Sequence, residues 1–290
     1  SLAKLADAHA ALPMPARTYG QHATPTSFGA VAASWGAPLL ALLQELPSLR
    51  DTCLLVSLSG AAGTAAALGA QSADLRAELA KALSLGDPGR SWHTDRSPVL
   101  RIADWMLRVN LALGKIGEDC TALVQTGIGE LVLGGSGSSS TMPQKQNPVA
   151  PSVLIALARQ NTALMSVLHS ASMHQHQRDG AAWFSEWLCL PQIVLASASA
   201  ARVSRELSAG ITPNSAAMHS ALNAGLDMIH AEALSFALAE TLPRPEAQTI
   251  TKTLCKEAAA TDTPLRALVK RDYPKLDSAA LFDADQQLGQ

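Results

Sequence analysis

From Ser97 to Leu123 apolar residues recur at Ile102, Trp105, Met106, Val109, Leu113, Ile116, Cys120 and Leu123, spaced by threes and fours. That spacing lines them along one stripe of an α-helix, and the Ser-Pro pair at 97–98 suits a helix start. A stripe about six turns long must be covered by other helices, which points to a bundle. The opposite face carries Arg101, Asp104, Arg108, Lys115, Glu118 and Asp119, a solvated or interhelical face with no charge motif. Similar periods cover about 28–50, 148–172 and 184–208, and strand-type alternation of β-branched residues is nearly absent. The expected fold is therefore all-α, a bundle of long helices. After "ELSAGITPN" (206–214) the helical stretches shorten, and Pro213, Pro243, Pro245, Pro264 and Pro274 punctuate the chain. Two domains are expected: a central helical bundle over 1–210 and a small helical C-terminal domain over 211–290.

Composition narrows the function. With 290 residues, 48% of them hydrophobic, and a formal net charge of -2, the chain can bury a large core and has no basic field for nucleic acid. Cys53, Cys120, Cys189 and Cys255 lie far apart, with no CxxC pair and no zinc-type Cys/His spacing, so buried reduced thiols and a cytoplasmic location are expected. No charged-then-apolar leader opens the chain, and no apolar run reaches membrane-spanning length, so no membrane partner is expected.

One stretch stands apart: "GGSGSSSTMPQKQNP" at 134–148. It is not a phosphate loop, because Gln144 rather than Gly precedes Lys145, and not a dinucleotide fingerprint, because Ser140 stands where Gly is needed. Its Gly/Ser content alone reads as a flexible interhelix loop. Its second half says more. Met142 and Pro143 stiffen the chain, and Lys145 and Asn147, two apart before Pro148, can aim an ammonium and an amide at one anion. A serine-rich arm leading into such a clamp reads as a lid that closes on a carboxylate.

"SSSTMPQKQNP" resembles the signature G-S-S-x-M-P-x-K-x-N of the fumarase/aspartase superfamily, with only Ser138 departing, for Gly. The resemblance implies a long-helix bundle, a homotetramer whose active sites are shared between subunits, a small-molecule carboxylate substrate, and no metal or organic cofactor. It implies Ser139 as the catalytic acid/base. Lys145 and Asn147 then contact a substrate carboxylate, with Ser140 and Met142 beside them. Such residues suit the chemistry, since a proton moved next to a carboxylate passes through an aci-carboxylate with two negative oxygens, which fixed cations and amide donors stabilise. A serine is a poor base unless its oxyanion is stabilised, and backbone N–H groups of a glycine-rich segment can do that once the loop closes.

A second region of the superfamily, T-H-x-Q-x-A, resembles "RTYGQHATPTSFG" at 17–29, where Thr18, Gln21 and Ala23 fit and Tyr19 replaces the histidine. In members that use a His-Glu pair the glutamate follows the K-x-N motif, at a position that is Ser152 here. Both halves of the pair are missing. The cycloisomerase branch, where an aromatic residue commonly takes the histidine position, fits best; an adenylosuccinate-type lyase and a non-catalytic structural homologue are the alternatives. Thr18, Tyr19 and Gln21 are expected to line the pocket, and His22 reads equally as a capping or surface histidine.

Three further stretches point to the same branch. "SGAAGT" (59–64) resembles a small-residue segment whose plain reading is close backbone approach. "SWHTDR" (91–96) is similar to W-H-T-Q-R with Asp95 for Gln. "HQHQRDGAAWFSEW" (174–187) resembles H-E-R followed by W-x-x-E-W, with Gln177 for Glu, and Trp183 and Trp187 read by spacing alone as core residues. Arg178 can hold an additional carboxylate bidentately, as a tricarboxylate substrate would require. "LFDADQQLG" at 281–289 resembles the closing segment of the family. The resemblance also implies an N-terminal domain of roughly a hundred residues, after which this chain would start.

Overall fold

The computed structural model describes residues 1–135, 137–138, 141–142 and 145–289. In chain order, a short helix α1 (Leu2–Ala8) leads into strands β1 (Pro13–Thr18) and β2 (Gln21–Ser27). Helices α2 (Phe28–Cys53), α3 (Ser72–Leu83) and α4 (Ser97–Leu123) follow, then three short strands, β3 (Leu131–Leu133), β4 (Gly137–Ser138) and β5 (Gln146–Asn147). Two long helices, α5 (Val149–Ser170) and α6 (Gly180–Gly210), precede strand β6 (Ile211–Pro213). The chain ends in five shorter helices, α7 (Ser215–Leu222), α8 (Ala231–Ala239), α9 (Arg244–Thr261), α10 (Leu265–Asp272) and α11 (Ser278–Leu281). The fold is all-α, and the long helix expected from Ser97 spans the whole predicted stripe.

The chain divides into two compact units. One comprises residues 1–34, 122–134 and 211–290, the other 35–121 and 135–210. The first unit thus joins the chain's opening, a segment at the end of α4 and the C-terminal helices. Strand pairing accounts for part of this: β3 runs antiparallel to β6, Leu131 opposite Pro213 and Leu133 opposite Ile211, so residues far apart in sequence close one ladder.

In the first unit, Leu234, Leu238, Leu254, Leu265, Leu268 and Val269 are buried together from α8, α9 and α10. The β1–β2 hairpin belongs to this unit and is a feature that the sequence reading missed. Its two-residue loop, Tyr19–Gly20, joins paired Thr18 and Gln21, and both loop residues have positive φ, 53° and 73°. That geometry follows the right-handed twist of paired strands, and glycine adopts it freely whereas tyrosine does so at a cost of about 1 kcal/mol. Against the hairpin base, Gly29 allows close approach to the end of α1: a Cβ there would lie 2.5 Å from the Cα of Ala10.

In the second unit, α4, α5 and α6 share a core of Ala103, Met165, Leu168, Cys189 and Ile193. Glycines let α4 meet α5 closely, since a Cβ on Gly117 would lie 2.6 Å from the Pro151 carbonyl oxygen. Inside this packing sits a polar knot. The amides of Asn110 and Asn161 both donate to Ser197 Oγ, at 2.7 and 3.2 Å, and the Ser197 hydroxyl donates to the Ile193 carbonyl. Each helix register thereby has a polar partner that a sliding apolar stripe would lack.

Candidate active site

The hairpin presents three of the expected site residues. Pro13, Met14 and Pro15 are buried at its base, while Thr18, Tyr19 and Gln21 are exposed at its tip, Tyr19 completely so. Two residues that sequence reasoning missed hold the hairpin in place. Arg17, one residue before the tip, grips the carboxylate of Glu130 with both Nη atoms, at 2.8 and 2.5 Å, and Glu130 is wholly buried. Glu130 is itself fixed by its backbone, its N–H donating to Leu123 and its carbonyl accepting from Asn214. The signal was present as an arginine next to a matched motif, but nothing in the sequence shows a partner 113 residues away. His22 is exposed, with Nε2 3.3 Å from the Arg17 guanidinium.

From Gly135 onward the signature segment belongs to the second unit. Ser139, Ser140, Pro143 and Gln144 lie outside the described residues, so the expected acid/base and its neighbour have no described geometry. Lys145 and Asn147 are described. Strand β5 pairs with β4, placing Asn147 opposite Gly137, and Pro148 then leads into α5. A Cβ on Gly137 would come within 2.6 Å of Val149 Cγ2, so a larger residue there would displace the exposed Val149 side chain. Lys145 is exposed, its N–H donates to the Met142 carbonyl at 2.9 Å, and Asn147 is half-buried. Met142 is exposed. Ser152, at the glutamate position of other members, donates its hydroxyl to the Pro148 carbonyl at 2.8 Å.

Also in the second unit, the three remaining stretches converge. Arg178 lies over the Trp183 ring, 3.7 Å from its centroid, and its Nε and Nη2 each stand 2.9 Å from a ring nitrogen of His93. His93 follows Trp92, whose indole N–H donates to the Val56 carbonyl at 2.8 Å. Arg96 closes the "SWHTDR" segment by chelating Glu186 of α6, and it also stacks on Trp92. In "SGAAGT", Gly63 is marked by its φ of +80° rather than by close approach, since a Cβ there would make only ordinary contacts, 3.4 Å from Ser91 Oγ and 3.7 Å from His93 Cβ. A polar cavity of about 300 Å³ opens here, lined among others by Gly63, Arg90, Ser91, His93, Asp95 and Gln177.

Asp95 does not contribute free charge to that cavity. It caps α4 by accepting from the hydroxyl and backbone N–H of Ser97 and accepts from Arg90 at 2.7 Å, contacts that pull its carboxyl down to about 2. His93 shifts downward as well, first through desolvation and then through the positive neighbours Arg178, His174 and Arg96. Among the described residues, no three His, Cys, Asp or Glu side chains are grouped to hold a metal ion. No helix of the described residues is long and apolar enough to cross a membrane.

The lyase family model matches residues 1–161. A 3-carboxy-cis,cis-muconate cycloisomerase of Pseudomonas putida is 37% identical over 93% of this chain and 67% of its own length. The chain belongs to the lyase family, within the fumarase/aspartase superfamily. The crystal structure of the 3-carboxy-cis,cis-muconate lactonizing enzyme from Pseudomonas putida shares the fold of this lyase chain at a TM-score of 0.91 and 34% identity, covering 100% of this chain and 66% of that one. A nitrosuccinate lyase of Streptomyces davaonensis is 31% identical over 100% of this chain and 64% of its own. This lyase chain spans between 58% and 67% of the length of four relatives named as cycloisomerases.

Proposed function

We propose that the enzyme containing this chain is a 3-carboxy-cis,cis-muconate cycloisomerase, closing a lactone on a small tricarboxylate. The observation that carries this reading is the double departure at the His-Glu positions, seen together with the cycloisomerase relatives. Tyr19 occupies the histidine position at an exposed tip, and the Ser152 hydroxyl, spent on Pro148, offers no carboxylate in place of glutamate. A lyase relying on that relay would lack both partners.

In the lactonising direction a substrate carboxylate adds to the conjugated double bond while Ser139, as general acid, protonates the neighbouring carbon. Microscopic reversibility makes the same serine the base in the reverse elimination. Lys145 and Asn147 hold the carboxylate that becomes the aci-carboxylate, and their grip strengthens as its second oxygen gains charge. Ser140 and Met142 flank them. Thr18, Tyr19 and Gln21 line the pocket from the hairpin tip, and Arg178 takes an additional carboxylate. A homotetramer, with active sites shared between subunits, would also cover the apolar side chains that α6 leaves exposed: Phe184, Trp187, Leu188, Val194 and Leu195. The nitrosuccinate lyase relative supports a second reading, an elimination that uses the same serine as base. Assaying the intact enzyme side by side on carboxymuconate, nitrosuccinate and adenylosuccinate separates the readings; turnover of adenylosuccinate alone would overturn both.

A further inference from the structure

The contact between Arg178 and His93 is short of an acceptor. Two guanidinium nitrogens each lie 2.9 Å from a ring nitrogen of one imidazole. A neutral imidazole carries one N–H and one lone pair, so it accepts one of these contacts and sets N–H against N–H at the other; a protonated one accepts neither. A third group repeats the pattern. His174 Nδ1 accepts the Asp179 backbone N–H at 3.2 Å, which places the neutral ring's proton on Nε2, and that atom is buried with no hydrogen-bond partner.

Nearby acids are already committed. Asp95 is taken by Ser97 and Arg90, Glu186 by Arg96, and Asp179 by the backbone N–H groups of Gln175, Ala181 and Ala182. Arg178 is oriented by Trp183, which leaves its other N–H edges exposed. Donors therefore outnumber acceptors beside the cavity that Gly63, Ser91, His93 and Gln177 line.

We infer that His93 is an anion-binding residue, joining Arg178 in taking one carboxylate of the substrate, with protonation of His93 coupled to occupancy. A carboxylate between the two groups accepts from both at once, and a His93 ring turned to it donates a charge-assisted hydrogen bond once its second proton is bound, relieving the N–H against N–H contact with Arg178. The inference rests on the reading of a polycarboxylate substrate but not on lactonisation. Its physical consequence is a site that distinguishes three carboxylates from two, and that tightens as pH falls. Without ligand His93 holds its proton weakly, from desolvation and from Arg178, His174 and Arg96, so anion binding must draw a proton in.

The test uses the intact enzyme and direct calorimetric binding of propane-1,2,3-tricarboxylate, with succinate as the two-carboxylate control. His93→Gln should weaken the tricarboxylate by about ten-fold or more and leave succinate unchanged. In the parent enzyme tricarboxylate binding should strengthen from about pH 8 to about pH 6 more steeply than in His93→Gln. Arg178→Lys, which keeps the charge and loses the planar fork, should weaken the same ligand. Equal losses for both ligands, or none, would overturn the inference, as would an unchanged pH profile in His93→Gln. An enzyme that binds tricarboxylate in this manner yet leaves carboxymuconate untouched would remove the proposed reaction and leave the anion site standing.

Discussion

Arg96 and Glu186 form a two-point ion pair, Nε to Oε2 and Nη2 to Oε1 both at 2.7 Å, that ties the start of α4 to α6 across 90 residues of sequence. Their side chains are only 15% and 8% exposed, so removing one partner strands the other charge away from water. Arg96→Met should destabilise the protein by about 3 kcal/mol, and Arg96→Met with Glu186→Leu by much less. Denaturant unfolding of both variants checks this; a double variant as unstable as the single would show that the pair itself contributes the stability.

The second buried pair acts on the hairpin. Glu130→Ala should cost about 3–5 kcal/mol and loosen the tip bearing Thr18, Tyr19 and Gln21. Arg17→Lys keeps the charge but loses the two-pronged grip, and should fall between parent and Glu130→Ala. Thermal unfolding orders the three. Hydrogen exchange at Thr18 and Gln21 should rise in the same order.

How much of this was legible in the sequence depended on whether the information was local. Helix α4 was readable because its stripe is written in threes and fours, and α5 and α6 followed from the same period. The β1–β2 hairpin was not, because Pro13, Pro15 and Pro25 mask the strand pattern and its positive-φ loop uses Tyr-Gly rather than the usual Asn-Gly. The candidate residues Lys145 and Asn147 came from a contiguous motif. Glu130 and the His93–Arg178 contact depend on distant chain segments meeting, which no local spacing encodes. The small-residue run at 59–64 suggested close approach, whereas at Gly63 the structure shows a positive φ of +80° with room for a Cβ.

Burial of His230 gives a pH prediction. Its ring is 4% exposed, Gln287 lies 2.9 Å from Nδ1, and Phe282 meets it edge-on. Desolvation lowers its folded pKa below the ordinary value of 6.5, so the unfolded chain takes up the proton first. The stability it contributes is then fully present above that ordinary value and is lost as pH falls through it. Unfolding midpoints should drop between about pH 7 and about pH 5, and His230→Gln should flatten that part of the curve.

The proposed assembly would cover the apolar surface of α6. The intact enzyme should scatter light as a tetramer at micromolar concentration, and Leu188→Glu with Leu195→Glu should shift it toward smaller species, since both positions are 68% exposed in the isolated chain. A stable parent monomer would remove the shared active site from the account.

Proton transfer by Ser139 is the central claim, and single-residue kinetics test it most directly. With carboxymuconate and the intact enzyme, loss of the substrate's conjugated ultraviolet absorbance reports lactonisation. Ser139→Ala should lower kcat by about two to four orders of magnitude with a modest change in KM, whereas Lys145→Ala should damage both. Near-parental turnover by Ser139→Ala would contradict the mechanism.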